Sequence, residues 1–370
     1  MRIKHLLGCS FVISVVLTGC ASPVLNEASS PTIPNASATR TLFLPSSYPS
    51  ALTERVTPVP TSTPTPSLQV NLDAVGDIML GRTVGDQMLA QGAGIVFAGV
   101  QSALDSADVR VGNLECTLTD RSTSEHKTYT LQAPPEAARA LSLGKFDVVS
   151  LANNHAMDYG YVGLQDTQSY LSQYNIATVG AGANSAAAHM PVLLERNGLR
   201  LAFLAYVDVP VEMDGFDAHD WIATASRPGI AWADPAQITS DVTAAKQKAD
   251  VVIVFLHGGW ENRTPISPDQ SAEAHAAIDA GASLVIGAHS HLLQQTEMYH
   301  GGLIAYSLGN FVFDNYRGIS NATIILRVVL TRQGVHSYDY IPVLIENGLP
   351  VLTSIDSARG IETLVAPLTP

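Results

Sequence analysis

The sequence predicts an α/β fold in which two packed sheets carry helices on their outer faces. Three observations predict it. From Leu68 onward, short apolar runs alternate with helix-length stretches, the order of a mostly parallel sheet with helical crossovers. Past about residue 190 the texture changes to paired strands joined by tight turns. Of the 370 residues, 46% are hydrophobic, enough to fill a large interior.

The elements follow in order. "LQVNLDAVG" reads as a strand, "FAGVQSALDSA" as a helix and "DVRVGNLE" as a strand. "PPEAARALSLG" begins with prolines and ends with glycine, the punctuation of a helix. "KFDVVSLA" is a strand, "YVGLQDTQSYLSQY" a helix and "IATVGAG" a strand. "PVLLERNGLRLAFLAYVDV" is two strands joined at Asn197-Gly198, a strong hairpin signal. "DPAQITSDVTAAKQKA" is a helix capped by Asp234, followed by the buried strand "DVVIVFLHG". "SPDQSAEAHAAIDAG" is a helix and "SLVIGAHSH" another buried strand. The remaining segments, "QQTEMYHGGLIAYSLG" and "ATIILRVVLTRQGVHSYDYIPVLIE", read as antiparallel pairs.

The first 67 residues have a different character. Residues 1–19 carry Arg2 and Lys4, an apolar run from Leu6 to Leu17, and the ending "LTGC", the layout of a secretory signal of the bacterial lipoprotein type. On that reading Cys20 is the lipidated first residue of the mature protein; a plain signal peptide with a chance Cys is the bland alternative. The apolar run is short for a membrane span. Residues 20–67, rich in Ser, Thr and Pro, read as an extended linker that holds a globular domain, residues 68–370, off a membrane. The expected location is therefore extracytoplasmic and membrane-anchored. Of three cysteines only Cys116 lies in the globular part, so no disulfide is expected there, and a buried thiol is its default role.

The chain has 20 Lys and Arg against 33 Asp and Glu, a formal charge of -13. Sequence-independent nucleic-acid binding needs the opposite balance.

The potentially reactive residues fall at strand exits. Asp77 follows the first strand, Glu115 the second, and Asn154 and His155 the third. His257 ends "DVVIVFLH", and His289 and His291 leave "SLVIGA". In an open α/β sheet, ligands bind beyond the carboxyl ends of the parallel strands. Imidazole together with carboxylate suits divalent transition metals such as Zn, Mn or Fe. Two such ions can be bridged by one carboxylate, for which Glu115 is the candidate. Singly, each residue has a bland reading: Asp77 a cap or turn, Asn154 a turn-former, His257 a satisfied core histidine. Together, at successive strand ends, they point to one metal centre. Gly76, Gly112 and Gly287 are expected to let the backbone approach the metals. His126, His189, His219, His275, His300 and His336 lack such a setting and read as surface or structural. Arg82, Asn113 and Glu261 are candidates for substrate contact or for the edge of the site. Arg82 could equally be held by a nearby carboxylate, and Glu261 could be an exposed loop acid.

The motifs "GDIMLGR", "NLECTLT", "LANNHAMDYG", "FLHGGWE", "IDAGASLVIGAHSH" and "YSLGNFVFD", in that order from about Val70 to about Pro350, resemble the CapA family of bacterial capsule and poly-γ-glutamate synthesis proteins. That family looks like a distant branch of the calcineurin-like metallophosphoesterases. The resemblance implies a four-layer α/β/β/α sandwich holding one or two divalent metal ions. It implies Asp77, Glu115 and His291 for one ion, and Glu115, Asn154, His257 and His289 for the other. His155 would contact the leaving group or the attacking water, and Asn310 would be a family-specific residue at the site edge.

There are departures. Ordinary metallophosphoesterases begin with Asp-x-His, whereas Asp77 is followed by Ile78 and Met79; Glu115 stands where the wider superfamily has Asp. Within the branch, Gly258 stands where Trp is expected and Ser290 where Pro is expected. The implied function is a metal-dependent, phosphoesterase-like hydrolase of capsule or poly-γ-glutamate production. The alternative is a non-catalytic assembly or export factor for a polymer synthase, with a structural or vestigial metal site. The implied partners are the membrane through Cys20, a polymer synthase complex and an anionic polymer.

Overall fold

A computed structural model describes residues 68–212, 215–314, 318–353 and 355–368. The expected signal peptide, lipidated Cys20 and linker lie outside the described residues. The chain divides between Thr63 and Pro64 into two units, and every described residue belongs to the second.

That unit contains two large sheets. The first is built on four parallel strands, β1 (Val70–Ile78), β2 (Val109–Leu114), β3 (Val148–Ser150) and β4 (Ala177–Val179). The second contains β5 (Val192–Arg196), β6 (Leu199–Asp208), β7 (Val251–Gly258), β8 (Leu284–Ala288), β9 (Thr296–Tyr299) and β10 (Gly302–Ala305), in the order β9-β10-β8-β7-β6-β5. Within it β6, β7, β8 and β10 are parallel, with antiparallel edges. The chain then returns to the first sheet. There β11 (Asn310–Val312) lies parallel to the end of β1, and β12 (Ala322–Thr331), β13 (Gly334–Glu346) and β14 (Leu349–Leu352) complete an antiparallel flank.

Strand β7 shows why the sheets stack. All eight of its residues are buried. Val251, Ile253 and Phe255 join the core between the sheets, while Val252, Val254 and Leu256 pack among helix residues such as Ile238, Val242, Ala274 and Ala277. Period-two side chains covered on both faces give a continuous apolar run rather than an alternating one. Each such side chain contributes about 1.5–3 kcal/mol on burial. The covering helices are α4 (Pro235–Lys246) and α5 (Pro268–Asp279). The first sheet is covered by α1 (Arg82–Gln91), α2 (Ala137–Leu143) and α3 (Gly160–Ser172), whose buried Met88, Leu141 and Leu164 belong to the same large core. The four-layer α/β/β/α arrangement is therefore present.

Local signals act as expected in several places. Asn197 (φ 50°) and Gly198 (φ 78°) both adopt the left-handed conformation that a tight hairpin between β5 and β6 requires. Asp234 accepts the N–H groups of Ala236 and Gln237. Ser267 and Gln270 form a reciprocal capping box at the start of α5.

One expectation is corrected. The helix read over "FAGVQSALDSA" is only the single turn Gln101–Leu104, preceded by turns. The glycines near the strand exits are required by close packing within the chain. A Cβ on Gly76 would lie 1.8 Å from the Gly309 carbonyl oxygen, and one on Gly287 would lie 1.9 Å from that of Tyr306. One on Gly112 would meet the side chains of Val75 and Ile78. Gly76 and Gly287 thus admit the 306–309 turn that carries the chain from one sheet to the other.

Candidate metal centre

Both sheets end at the same place. The first delivers Asp77, Asn113, Glu115, Asn154 and His155 from the ends of β1, β2 and β3; the second delivers His257, His289 and His291 from β7 and β8. Near Asp77 the register of β1 slips against both β2 and β11, an irregularity that re-aims side chains. Beyond β8, His289 (φ 90°) and His291 (φ 56°) take left-handed backbone conformations that cost non-glycine residues on the order of 1–3 kcal/mol each. The chain turns sharply there, and both rings end up buried. The rings of His257 and His289 are 4.8 Å apart, and those of His289 and His291 are 6.2 Å apart.

Two sets of side chains converge. In each of the sets Glu115/His257/His289 and Asp77/Glu115/His291, the donor atoms lie within 4.8 Å of one another. Asn154 Oδ1 is 2.9 Å from His257 Nε2. The Glu115 carboxylate is fully buried, and among the described residues neither of its oxygens has a hydrogen-bond partner, nor has His289 Nδ1. Burial, reinforced by the negative charge of Asp77, pushes Glu115 well above the usual carboxylate range. Burial pushes His289 down to about 3, and holds His257 well below the ordinary imidazole range, with the neighbouring imidazoles adding to both effects. A neutral imidazole beside an unpartnered carboxylate is the donor set a divalent cation takes. These residues fit such an ion, with Glu115 common to both sets.

Above the cluster lies a cavity of about 1020 Å³, whose walls include Asn154, His155, His289, His291, Arg82 and Glu261. His155 places Nδ1 2.7 Å from Asp158 Oδ2. Glu261 is half-exposed, 4.0 Å from His291 Nε2. Arg82 is held by Asp314 at 2.5 Å and lies over the Phe313 ring. Asn113 and Asn310, expected at the site edge, are buried beneath it, because β2 and β11 run under the cluster on either side of β1. Asn113 donates to Asp77 Oδ1 at 2.8 Å, and Asn310 Oδ1 is 2.9 Å from His291 Nδ1. Where the Asp-x-His pattern would supply an imidazole, Met79 is fully buried and its sulfur accepts the Gly81 N–H.

A profile described as "Bacterial capsule synthesis protein PGA_cap" matches residues 71–315. The chain belongs to that family. It is 33% identical over 298 residues to the PGA biosynthesis protein CapA of Bacillus subtilis (strain 168), covering 80% of this chain and 76% of that protein. It is 34% identical over 301 residues to the capsule biosynthesis protein CapA of Bacillus anthracis, covering 79% and 72%. Among solved structures it is similar to one described as a novel phosphatase from Mycoplasma pneumoniae, with 11% identity, a TM-score of 0.49, and 75% of this chain and 94% of that one covered. It is also similar to a putative 5'-nucleotidase from Staphylococcus aureus, with 14% identity, a TM-score of 0.48, and 80% and 58% covered.

In this member of the PGA_cap family, sequence reasoning missed a second group of residues. Lys127, with a fully buried side chain, is 2.9 Å from Asp158 Oδ1, pairs with Glu212, and donates to the Asn154 carbonyl at 2.7 Å. Its ammonium lies about 5 Å from the Phe216 and Trp221 rings, at 5.1 and 4.9 Å. Glu212 also accepts from Asn154 Nδ2 at 3.2 Å, which turns the Asn154 oxygen toward His257. Asp158 stands in the quoted motif "LANNHAMDYG", three residues after His155, and could have been found there; Lys127 and Glu212 lie in loops without such a signal. Cys116 is a buried free thiol pushed up to about 12 by burial, as a structural cysteine should be. His189, His219, His275 and His300 pair with Asp241, Asp217, Glu297 and Asp279, away from the site. Among the described residues no helix is long and apolar enough to cross a membrane.

Proposed function

We propose that this chain is a metal-dependent hydrolase of the phosphoesterase type, held outside the cytoplasm by a lipidated Cys20 and acting in production of an anionic capsular polymer. The observation that carries the reading is the Glu115 carboxylate, buried with no hydrogen-bond partner among the described residues, beside Asp77 and three imidazoles beneath a large cavity. A bound divalent cation would polarise the scissile group and make a nucleophile available near neutral pH. His155 gives Nδ1 to Asp158, so Nε2 is the atom that holds or passes a proton at the cavity wall. Asp158 in turn accepts the Leu131 N–H at 2.6 Å and faces Lys127, which fixes its position. Arg82 and Glu261 on the same wall face the substrate. The names of the two Bacillus relatives support the polymer, and "LTGC" supports the anchor.

The test uses the full chain supplied with Mn or Zn, an aryl phosphate and a γ-glutamyl amide. Cation uptake and turnover of one substrate are expected, with His155→Ala lowering kcat about 10²- to 10⁴-fold while uptake persists. Cys20→Ala should release the protein from the membrane. Uptake without turnover, together with polymer production that survives His155→Ala, would leave the second reading: a non-catalytic assembly or export factor for a polymer synthase. One observation favours that reading, the buried Met79 where a further imidazole ligand would stand.

A further inference from the structure

The two sets of side chains around Glu115 are backed by different partners. Behind His257 runs a chain of amides whose direction the backbone dictates. The His155 N–H donates to Asn153 Oδ1 at 3.0 Å, so the other end of that amide is its nitrogen. That nitrogen donates to the Leu114 carbonyl at 2.9 Å and to Asn113 Oδ1 at 3.0 Å. Asn113 therefore presents its own nitrogen forward, to Asp77 Oδ1 at 2.8 Å and to His257 Nδ1 at 3.1 Å. An amide N–H facing an imidazole nitrogen requires that nitrogen to accept. On the far side of the ring, Asn154 has its nitrogen on Glu212, so its oxygen faces His257 Nε2 at 2.9 Å. With Nδ1 accepting from Asn113, a neutral His257 carries its proton on Nε2, where the Asn154 oxygen can accept it in the metal-free chain and Glu115 lies 3.7 Å away.

This is opposite to the usual support of a metal-bound histidine, whose second nitrogen donates to a carboxylate or carbonyl. For Nε2 to bind a cation, its proton must be lost or moved to Nδ1, where the Asn113 amide hydrogens meet it. The nearby acceptor, Asp77 Oδ1, is 3.9 Å from Nδ1 and already takes a hydrogen bond from Asn113. His291 differs: its Nδ1 has the Asn310 oxygen at 2.9 Å and can donate to it while Nε2 keeps its lone pair.

We propose that Asn113 is a positioning residue that holds His257 as an Nε2–H donor and thereby weakens the cation position formed by Glu115, His257 and His289 relative to that formed by Asp77, Glu115 and His291. The inference rests on the proposed reading that the cluster holds cations. It predicts stepwise filling, with the two steps separated by about tenfold or more in affinity, the scale on which such supporting partners act.

Two measurements on the full chain test it. In the metal-free protein, ¹⁵N spectra of the His257 ring should show the Nε2–H form, and an Nδ1–H form overturns the inference. Calorimetric titration with Mn²⁺ should show two unequal steps. Asn113→Leu removes the donor without adding charge, and should tighten the weaker step relative to the stronger. Asn113→Asp supplies an acceptor for Nδ1–H, and should tighten the weaker step about 10- to 100-fold. If both substitutions loosen both steps equally, Asn113 is only a packing residue and the inference fails. A chain that takes up no cation overturns the proposed function instead, and the ring spectrum alone then decides the form of His257.

Discussion

Strand β1 carries two buried aspartates four residues apart, and they have opposite fates. Asp73 receives a two-pronged contact from Arg327 on β12, at 2.8 and 2.7 Å, and the same guanidinium donates to the Ala103 carbonyl at 2.8 Å. Its charge is compensated within the fold. Asp77 accepts from neutral donors, the Asn113 amide and the His289 N–H, with the His291 and His257 rings farther off at 3.6 and 3.9 Å, and among the described residues the carboxylate beside it, Glu115, has no hydrogen-bond partner. Lys127 repeats the first arrangement, compensating Asp158 and Glu212 just behind the site. The protein therefore has the means to neutralise buried acids and does so on either side of the cluster, but not within it. A buried acid without a charged partner is costly to ionise, and a cation that supplies the missing charge recovers that cost.

The largest expected effect comes from breaking the compensated pair. Arg327→Met strands Asp73 and should lower unfolding free energy in urea by about 3–5 kcal/mol. Glu115→Gln should act with the opposite sign in metal-free protein. It removes an orphaned carboxylate and offers an N–H toward Asp77, so stability should rise by about 1–3 kcal/mol while cation uptake disappears. A loss of stability in Glu115→Gln would erase the distinction between the two aspartate environments. The smallest effect is one of pH. His289 has its folded value lowered from 6.5 to about 3. Unfolded chains therefore bind a proton that the folded chain refuses, and stability from this residue is present above 6.5 and is lost as pH falls toward 3. Melting temperature of metal-free protein should decline along that limb, and His289→Gln should flatten it.

Much of the architecture was legible because it is written locally. The doubly buried strands β7 and β8, the Asn197-Gly198 hairpin, and the capped starts of α4 and α5 each depend on residues a few positions apart. The segment around Gln101–Leu104 has a helix-like pattern but forms only a short turn, because nearby apolar residues such as Phe97 and Val100 serve the core through turns instead. Within the site, Asp77, Glu115, Asn154, His257, His289 and His291 were legible as a group, since strand exits in a parallel sheet share one edge. Their supporting residues were not. Asn113 meets His257 across 144 positions, Lys127 meets Glu212 across 85, and the Gly309 carbonyl that excludes a side chain from Gly76 belongs to the segment entering β11, far along the chain.

The sequence by itself determined that two sheets form, where their strands end, and which ligand-type side chains stand at those ends. Periodicity and capping depend on neighbours along the chain, so they can be read from it. Only the tertiary structure decided which acids are neutralised, which way each amide points, and which nitrogen of His257 faces Glu115. Those outcomes depend on distances between segments that the order of residues does not specify, and hydrogen bonds and charges act over a few ångströms of space rather than along the chain.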